Sequence, residues 1–287
     1  MKNILIIVSI MLCSIVVSAK EPIKVLVVSG QNTAHSWQAS SVILPKILNE
    51  SGLFKADVAI SPKKGEDMSN FKPDFKPYKV VVIDYDGDPW PASTNAAFLE
   101  YVKNGGGVVV YHAGNNSFPD WKEFNEIIGL GGWGGRTEKH GPYVYFKDGK
   151  EVRDDSPGRG GSHGRQHEFT IELRDKTHPI TKGLPNTWQH AKDELYDRMR
   201  GPALNMKILA TAYSDKETGG SGRDEPLLMT IHWGKGRIFH TMLGHIGGNE
   251  TTHPSVESAS FIVTFLRGTE WAATGKVTQK VPANFPK

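Results

Sequence analysis

Three histidines and one glutamate have side chains that commonly bind metals or transfer protons in proteins. His35, His112 and His245 each follow a run of apolar residues, and Glu194 lies in a segment rich in acidic and aromatic residues. Neutral imidazoles and a carboxylate suit Zn²⁺ and similar divalent ions, and a catalytic site keeps one position open. Because the sequence has neither an HExxH motif nor a His-x-His pair, these ligands must come from separate strand ends. We predict a divalent metal site at these four residues, with zinc as the candidate ion.

The same residues also fit a reaction without a metal. Glu194 and either His112 or His245 form a candidate general acid–base pair, because imidazole titrates near neutral pH and burial can raise a glutamate toward it. Tyr196, two residues after Glu194, is a further catalytic candidate. The alternative for Asp193 and Glu194 is a solvated or helix-capping acidic pair.

Aromatic and polar residues in or near loops provide candidate substrate contacts. Aromatic faces beside polar groups suit sugar rings, which predicts substrate-binding roles for Trp37, Asp84, Trp133, His167 and Trp188. A protein that only binds sugar would need such aromatic residues as well. It would not need the histidines and the carboxylate, so that cluster is the feature that favours an enzyme.

Apolar, β-branched runs at residues 23–29, 79–84 and 108–111 are predicted to be the strands that position these groups. Each run is apolar on both faces, which is typical of a central parallel strand. Helical patterns alternate with the runs and indicate an α/β fold with right-handed connections. Because parallel strands end at one edge of a sheet, we expect His35, Asp84 and His112 at the same rim.

The run 108–111 follows three glycines and ends at His112, before a turn of small residues. A strand, a sharp turn and a helix predicted at 119–128 match a nucleophile elbow, with histidine where Ser or Cys would stand. The alternative is a structural histidine bonded to the backbone. Farther on, the glycine-rich stretch 129–164 is predicted to form a long binding loop over the rim.

The composition is that of an ordinary globular protein, with 287 residues, 38% hydrophobic and 23% charged, and a formal charge of +3. Because no block of Lys or Arg stands out, a nucleic-acid partner is disfavoured. Lys2, the apolar run 4–17 and the small residues that follow predict a signal peptide at 1–19 and a periplasmic or secreted protein without a membrane span. Residues 20–287 are predicted to form a single domain, and the sequence leaves homo-oligomer formation open.

Several short motifs, taken in order, resemble those of the ThuA family, which is named for trehalose utilisation. The resemblance implies a fold similar to class I glutamine amidotransferases, a flavodoxin-like three-layer α/β sandwich with a mostly parallel central sheet. It also implies a carbohydrate substrate of the trehalose or keto-sugar type. The motifs are the first strand with His35 after it, GGGVVVYHAG with His112, His178-Pro179-Ile180, Asp193-Glu194-Leu195-Tyr196, and GKGRIFHTMLGH ending at His245.

Class I glutamine amidotransferases hold a cysteine at the elbow, where this chain has His112. The one cysteine, Cys13, lies in the predicted signal peptide, so glutamine hydrolysis through a thioester is excluded. We expect instead a sugar hydrolase or isomerase that uses a metal or an acid–base pair. The alternative is a non-catalytic sugar-binding protein on an amidotransferase-like fold.

Overall fold

The computed structural model describes residues 21–286, so the predicted signal peptide lies outside the described residues. The described part is a mixed α/β structure built on an eleven-stranded sheet. No helix within it is long and apolar enough to cross a membrane.

The strands are β1 (Ile23–Gly30), β2 (Phe54–Ile60), β3 (Val80–Tyr85), β4 (Gly107–Tyr111), β5 (Tyr143–Lys147), β6 (Lys150–Asp154), β7 (Ser162–His163), β8 (His167–Leu173), β9 (Thr187–Asp193), β10 (Tyr196–Asp197), β11 (Met206–Ser214), β12 (Arg223–Trp233) and β13 (Gly236–Thr241). The helices are α1 (Trp37–Glu50), α2 (Ala92–Lys103), α3 (Lys122–Ile128), α4 (Pro254–Glu257) and α5 (Ala259–Thr274).

Five strands form the parallel half of the sheet, in the order β2-β1-β3-β4-β13. The runs predicted from their apolar, β-branched residues become β1, β3 and β4, and the last two are buried along their whole length. Helix α1 packs on β1 and β2, and α5 packs on β4 and β13. Such burial is typical of parallel strands covered by helices.

The remaining six strands form an antiparallel half, in which β12, β11, β8 and β9 continue from β13 and the hairpin β5-β6 pairs with β12. The prediction of a mostly parallel sheet is therefore wrong for this half. The reason is local, because only Gly234 and Lys235 connect β12 to β13. A two-residue connection makes an antiparallel hairpin, whereas a parallel pair needs a crossover of about a dozen residues.

The turn after β4 lies at the edge where the parallel strands end. Residues His112–Asn116 form a 3-10 turn directly after Tyr111, and His112 has a φ of +40°. A Cβ atom at Gly114 would lie 2.3 Å from the carbonyl oxygen of Ile83, so only glycine lets the turn pack this closely on β3. The predicted strand and sharp turn are thus present, and the helix that follows begins at Lys122, later than predicted.

The glycine-rich stretch 129–164 is anchored to this turn. Arg136 is buried, and its guanidinium donates to three backbone carbonyls, two of which belong to residues 116 and 117. The stretch contains the hairpin β5-β6, and at its end β7 pairs with β10 in a separate two-stranded sheet. This second sheet connects the stretch to the segment that carries Glu194 and Tyr196.

Candidate metal centre

The four residues predicted as metal ligands converge on one point. Glu194 Oε2 lies 3.4 Å from His35 Nε2, 3.6 Å from His112 Nε2 and 3.1 Å from His245 Nδ1. One ligand atom from each residue lies within 4.8 Å of the others. The histidines follow β1, β4 and β13, and Glu194 directly follows β9. This group could hold a metal ion.

The tautomer of His112 is fixed by the backbone. Its Nδ1 lies 2.6 Å from the carbonyl oxygen of Met242, and a carbonyl only accepts, so Nδ1 carries the proton and donates. The unprotonated Nε2 therefore directs its lone pair toward Glu194. Among the described residues this buried nitrogen has no hydrogen-bond partner.

The contacts of His35 give the same tautomer. Its Nδ1 lies 3.3 Å from Asn32 Oδ1, which also accepts two backbone N–H groups, so the proton belongs on Nδ1. Its Nε2 then accepts from the Tyr196 hydroxyl at 3.2 Å and faces Glu194 Oε2. In this tautomer two imidazole lone pairs face one carboxylate oxygen, an arrangement that a positive charge between the groups would stabilise.

Three of the spacings within the cluster fit a tetrahedral ion. Ligand atoms bound to zinc at about 2.0–2.1 Å lie about 3.3 Å apart at the corners of a tetrahedron. The carboxylate-to-imidazole distances of 3.1 to 3.6 Å bracket that value. His245 Nδ1 is also buried without a correctly directed hydrogen bond in the described structure, although it is 3.1 Å from Glu194. The set of donor atoms, with the two buried nitrogens of His112 and His245 that lack a hydrogen-bond partner in the described structure, therefore fits a zinc-like cation.

The ionisation of the cluster follows from burial and from the shared carboxylate. Burial lowers the pKa of His35 to about 4, so the ring is neutral at neutral pH. Burial acts to raise the pKa of Glu194, but the surrounding imidazoles, His112 first, outweigh burial and hold that pKa well below its usual range. Burial acts to lower the pKa of His245, and the Glu194 carboxylate outweighs that effect and raises it. Ionised Glu194 and neutral His35 are thus in the form that binds metals, whereas a proton on His245 would have to leave before a metal binds.

Tyr196 and Trp133 form an aromatic wall beside the cluster. The Tyr196 ring stacks on His112 with ring centroids 4.3 Å apart, and the Trp133 ring lies 4.6 Å from Tyr196. Burial, followed by the charge of Glu194, raises the pKa of Tyr196 well above its usual value. Its hydroxyl is therefore protonated at neutral pH and can donate.

His163 is a fourth imidazole at the site, and sequence reasoning missed it. Its Nε2 lies 3.3 Å from Glu194 Oε1, and its side chain is 39% exposed, whereas that of Glu194 is 8% exposed. His163 is therefore at the entrance. In the sequence it stands among glycines and arginines of residues 157–165, and nothing local indicates the β7-β10 pairing that places it opposite Tyr196.

Asp84 and Trp37 lie behind the cluster and not at its entrance. The Asp84 carboxylate accepts hydrogen bonds from Ser29 and Ser40, both at 2.7 Å, and burial raises its pKa to about 7. Together with Trp37 it lines a small cavity that also touches His35 and His112. Asp84 is buried and Trp37 is half-buried, and a substrate contact at either residue stays a prediction.

His167 and Trp188 are not brought into the cluster. Trp188 is buried in β9, where its indole donates to Ser260 and its ring packs on Phe285. His167 Nδ1 donates to the carbonyl of Arg165, and its ring packs on Phe169. The structure places Trp188 in the core, because inward positions of β9 face α5, whereas His167 is half-buried in β8 and its substrate contact stays a prediction.

The sequence profile of the trehalose utilisation family, ThuA, matches residues 24–272. The chain belongs to the ThuA family. A ThuA-like protein from Parabacteroides merdae is 61% identical, with a TM-score of 0.90 over 93% of this chain and 95% of that one. A ThuA-like protein from Bacteroides uniformis is 18% identical, with a TM-score of 0.59 over 92% and 97%. No curated protein matches the chain.

Two further neighbours in fold bear on the predicted location. A Salmonella typhimurium protein is 14% identical, with a TM-score of 0.50 over 87% of this chain and 98% of that one, and it is described as a cytoplasmic protein. A second Salmonella typhimurium neighbour carries the same description. On this finding the predicted periplasmic or secreted location is wrong. That prediction depended on residues 1–19, which lie outside the described residues.

Proposed function

We propose that this ThuA-family chain is a sugar-acting enzyme whose centre is a divalent cation, with zinc the best fit, held by His35, His112, Glu194 and His245. The observation that carries the proposal is the group of imidazole nitrogens around a single carboxylate oxygen, at 3.1 to 3.6 Å. The description of the family as trehalose utilisation supports a carbohydrate substrate. The proposal covers two reactions, the hydrolysis of a sugar and the isomerisation of a sugar.

The strand order supports the finer fold assignment that the proposal uses. In chain order the five parallel strands are arranged 2-1-3-4-5, which is the flavodoxin-like order. We therefore propose a flavodoxin-like, amidotransferase-like sandwich for the parallel half. Ligands of such sheets bind beyond the carboxyl ends of the strands, where this cluster lies.

The residues of the chain have separable tasks in this proposal. A bound zinc ion would lower the pKa of a coordinated water or polarise a sugar carbonyl. The Tyr196 hydroxyl, now bonded to His35, is in place to donate to a substrate oxygen. Trp133 offers an aromatic face for a sugar ring, and His163 at the entrance can bond a sugar hydroxyl. The side chains of Glu194, His112 and His245 are buried, that of His35 is 13% exposed and that of His163 is 39% exposed, so we place the entrance at His163.

Metal content and turnover test the proposal together. The purified chain is analysed for bound metals, stripped by a chelator, and assayed with trehalose and its 3-keto derivative before and after Zn²⁺ is restored. We expect product only with the metal-loaded protein. A metal-free preparation with full turnover contradicts the metal centre. Glu270→Gln is the matched control, because this buried carboxylate bonds Thr278 and Gln279.

One observation favours a second candidate, acid–base catalysis without a metal. The Glu194 carboxylate raises the pKa of His245 at a distance of 3.1 Å, which suits a proton shared between the two. In that case a chelator leaves turnover unchanged, while Glu194→Gln abolishes it and leaves sugar binding intact. Calorimetry with a sugar that binds but gives no product would instead identify a non-catalytic sugar-binding protein.

A further inference from the structure

A chain of buried side chains leads from α5 to the centre. The Trp188 indole N–H donates to Ser260 Oγ at 2.8 Å, Ser260 Oγ lies 2.9 Å from His190 Nδ1, and His190 Nε2 lies 2.8 Å from Asp193 Oδ2. Because an indole only donates, the Ser260 hydroxyl is free to donate to His190. The histidine then donates from Nε2 to the Asp193 carboxylate.

Serine, histidine and aspartate in this chain have the composition of a hydrolytic triad, but the geometry excludes that role. Ser260 is 1% exposed, and its oxygen already accepts the Trp188 indole. His190 and Asp193 are fully buried. No substrate carbonyl can reach the Ser260 hydroxyl. These hydrogen-bonded side chains can therefore only hold the Asp193 carboxylate in place.

The Asp193 carboxylate binds the backbone of two candidate metal ligands. Its Oδ1 accepts the N–H of Glu194 at 2.7 Å and the N–H of His245 at 3.1 Å. Its Oδ2 accepts the N–H of Gly244 at 2.9 Å in addition to His190. One side chain thus joins the segment after β9 to the segment after β13.

A bulge in β9 gives Asp193 this direction. His167 pairs with Asp193, while Phe169, two residues on, pairs with His190, three residues back. Successive side chains of a regular strand alternate between faces, so without the extra residue Asp193 and His190 would point to opposite sides. The bulge turns Asp193 inward beside His190, in keeping with the frequent occurrence of bulges next to active sites.

We propose that Asp193 is a positioning residue that fixes the separation of Glu194 and His245, and that the chain of His190, Ser260 and Trp188 holds its carboxylate in place. The inference rests on the proposed function, because a fixed separation of two ligands is what a metal centre requires. Asp193 itself binds no metal.

Asp193→Asn is the direct test, with Glu270→Gln as the matched control. Either orientation of the introduced amide places its NH₂ group against two N–H donors. Metal-free protein is titrated with Zn²⁺ against a competing chelator, and we expect about 10- to 100-fold weaker binding in Asp193→Asn. Glu270→Gln should bind zinc as wild type does. Ser260→Ala should give a smaller loss in the same direction, and it replaces Asp193→Asn if that variant does not fold.

A second measurement needs no metal. The imidazole nitrogen NMR signals of His245 in zinc-free protein should shift in Asp193→Asn and Ser260→Ala but stay unchanged in Glu270→Gln. If the wild-type chain takes up no zinc, the proposed function fails, and this measurement alone decides the inference. Zinc affinity within about twofold of wild type in both site variants, or an unchanged His245 signal, would overturn it.

Discussion

The two halves of the sheet contribute to the centre by different means. In the parallel half, His35 and His112 lie just beyond the ends of β1 and β4, where the topology of the sheet puts them on one edge. In the antiparallel half, Glu194 reaches the same point after a bulge in β9, through hydrogen bonds to Asp193. Removal of the Glu194 carboxylate should therefore impair chemistry most, and substitutions in the turn after β4 should impair packing most.

Glu194→Gln tests the antiparallel contribution and should have the largest effect. Glutamine keeps the shape of the side chain but removes the negative charge that a cation or an imidazolium requires. We expect turnover of a keto disaccharide to fall by about a hundredfold or more, and bound zinc to be lost. Steady-state kinetics and elemental analysis check this result, with Glu270→Gln as the control. Unchanged rates would remove Glu194 from the mechanism.

Gly114→Ala tests packing in the parallel half. The new Cβ would lie 2.3 Å from a carbonyl oxygen of β3, which cannot move without distorting the strand. We expect a loss of about 3 kcal/mol in the free energy of unfolding. Gly52→Ala is the control, because its Cβ meets no atom within 4 Å and its φ of +70° leaves only a strain of about 1 kcal/mol. Urea denaturation measures both, and equal losses would contradict the close packing of the turn.

Asp84→Asn tests whether the buried Asp84 carboxyl makes the free energy of unfolding depend on pH. Burial raises the pKa of Asp84 to about 7, so between about pH 4 and pH 7 the folded protein holds a proton that the unfolded chain releases. This contribution to stability is complete below about pH 4 and is lost as the pH rises through about 7. Relative to wild type, Asp84→Asn should gain stability with rising pH, by no more than about 1.4 kcal/mol per pH unit. Denaturation at several pH values measures the difference, and a constant difference would contradict the raised pKa.

Tyr196→Phe should have the smallest effect of the four. The variant loses the hydroxyl that donates to His35 but keeps the ring that stacks on His112. The loss of one hydrogen bond predicts a decrease in kcat/KM of about tenfold or less, with zinc binding retained. A loss as large as that of Glu194→Gln would instead make the Tyr196 hydroxyl the proton donor of the reaction.

The sequence predicts the parallel half well because its signals are local. The apolar runs that became β1, β3 and β4, and the small-residue turn after His112, are each readable within a few residues. Parallel topology then brings His35 and His112 together without further information. The late strand β13 places His245 on the same edge by the same rule.

The antiparallel half could not be predicted in the same way, since its geometry depends on long-range pairing. The bulge between His190 and Asp193 arises from the register with β8, and His163 reaches the site through two residues of β7. Trp188 has the residue type of a sugar contact, but the alternation of β9 turns it into the core. Residue type alone does not distinguish a tryptophan that contacts a substrate from one that packs in the core.

The ribbon of β7 and β10 is separate from the eleven-stranded sheet. The strands that lead to the three inner histidines and the ribbon that carries His163 and Tyr196 thus belong to different backbone hydrogen-bond networks. Under the proposed function, the ribbon that carries His163 can therefore be exchanged, and with it the size of the sugar admitted, without rebuilding the strands that hold the proposed metal ligands.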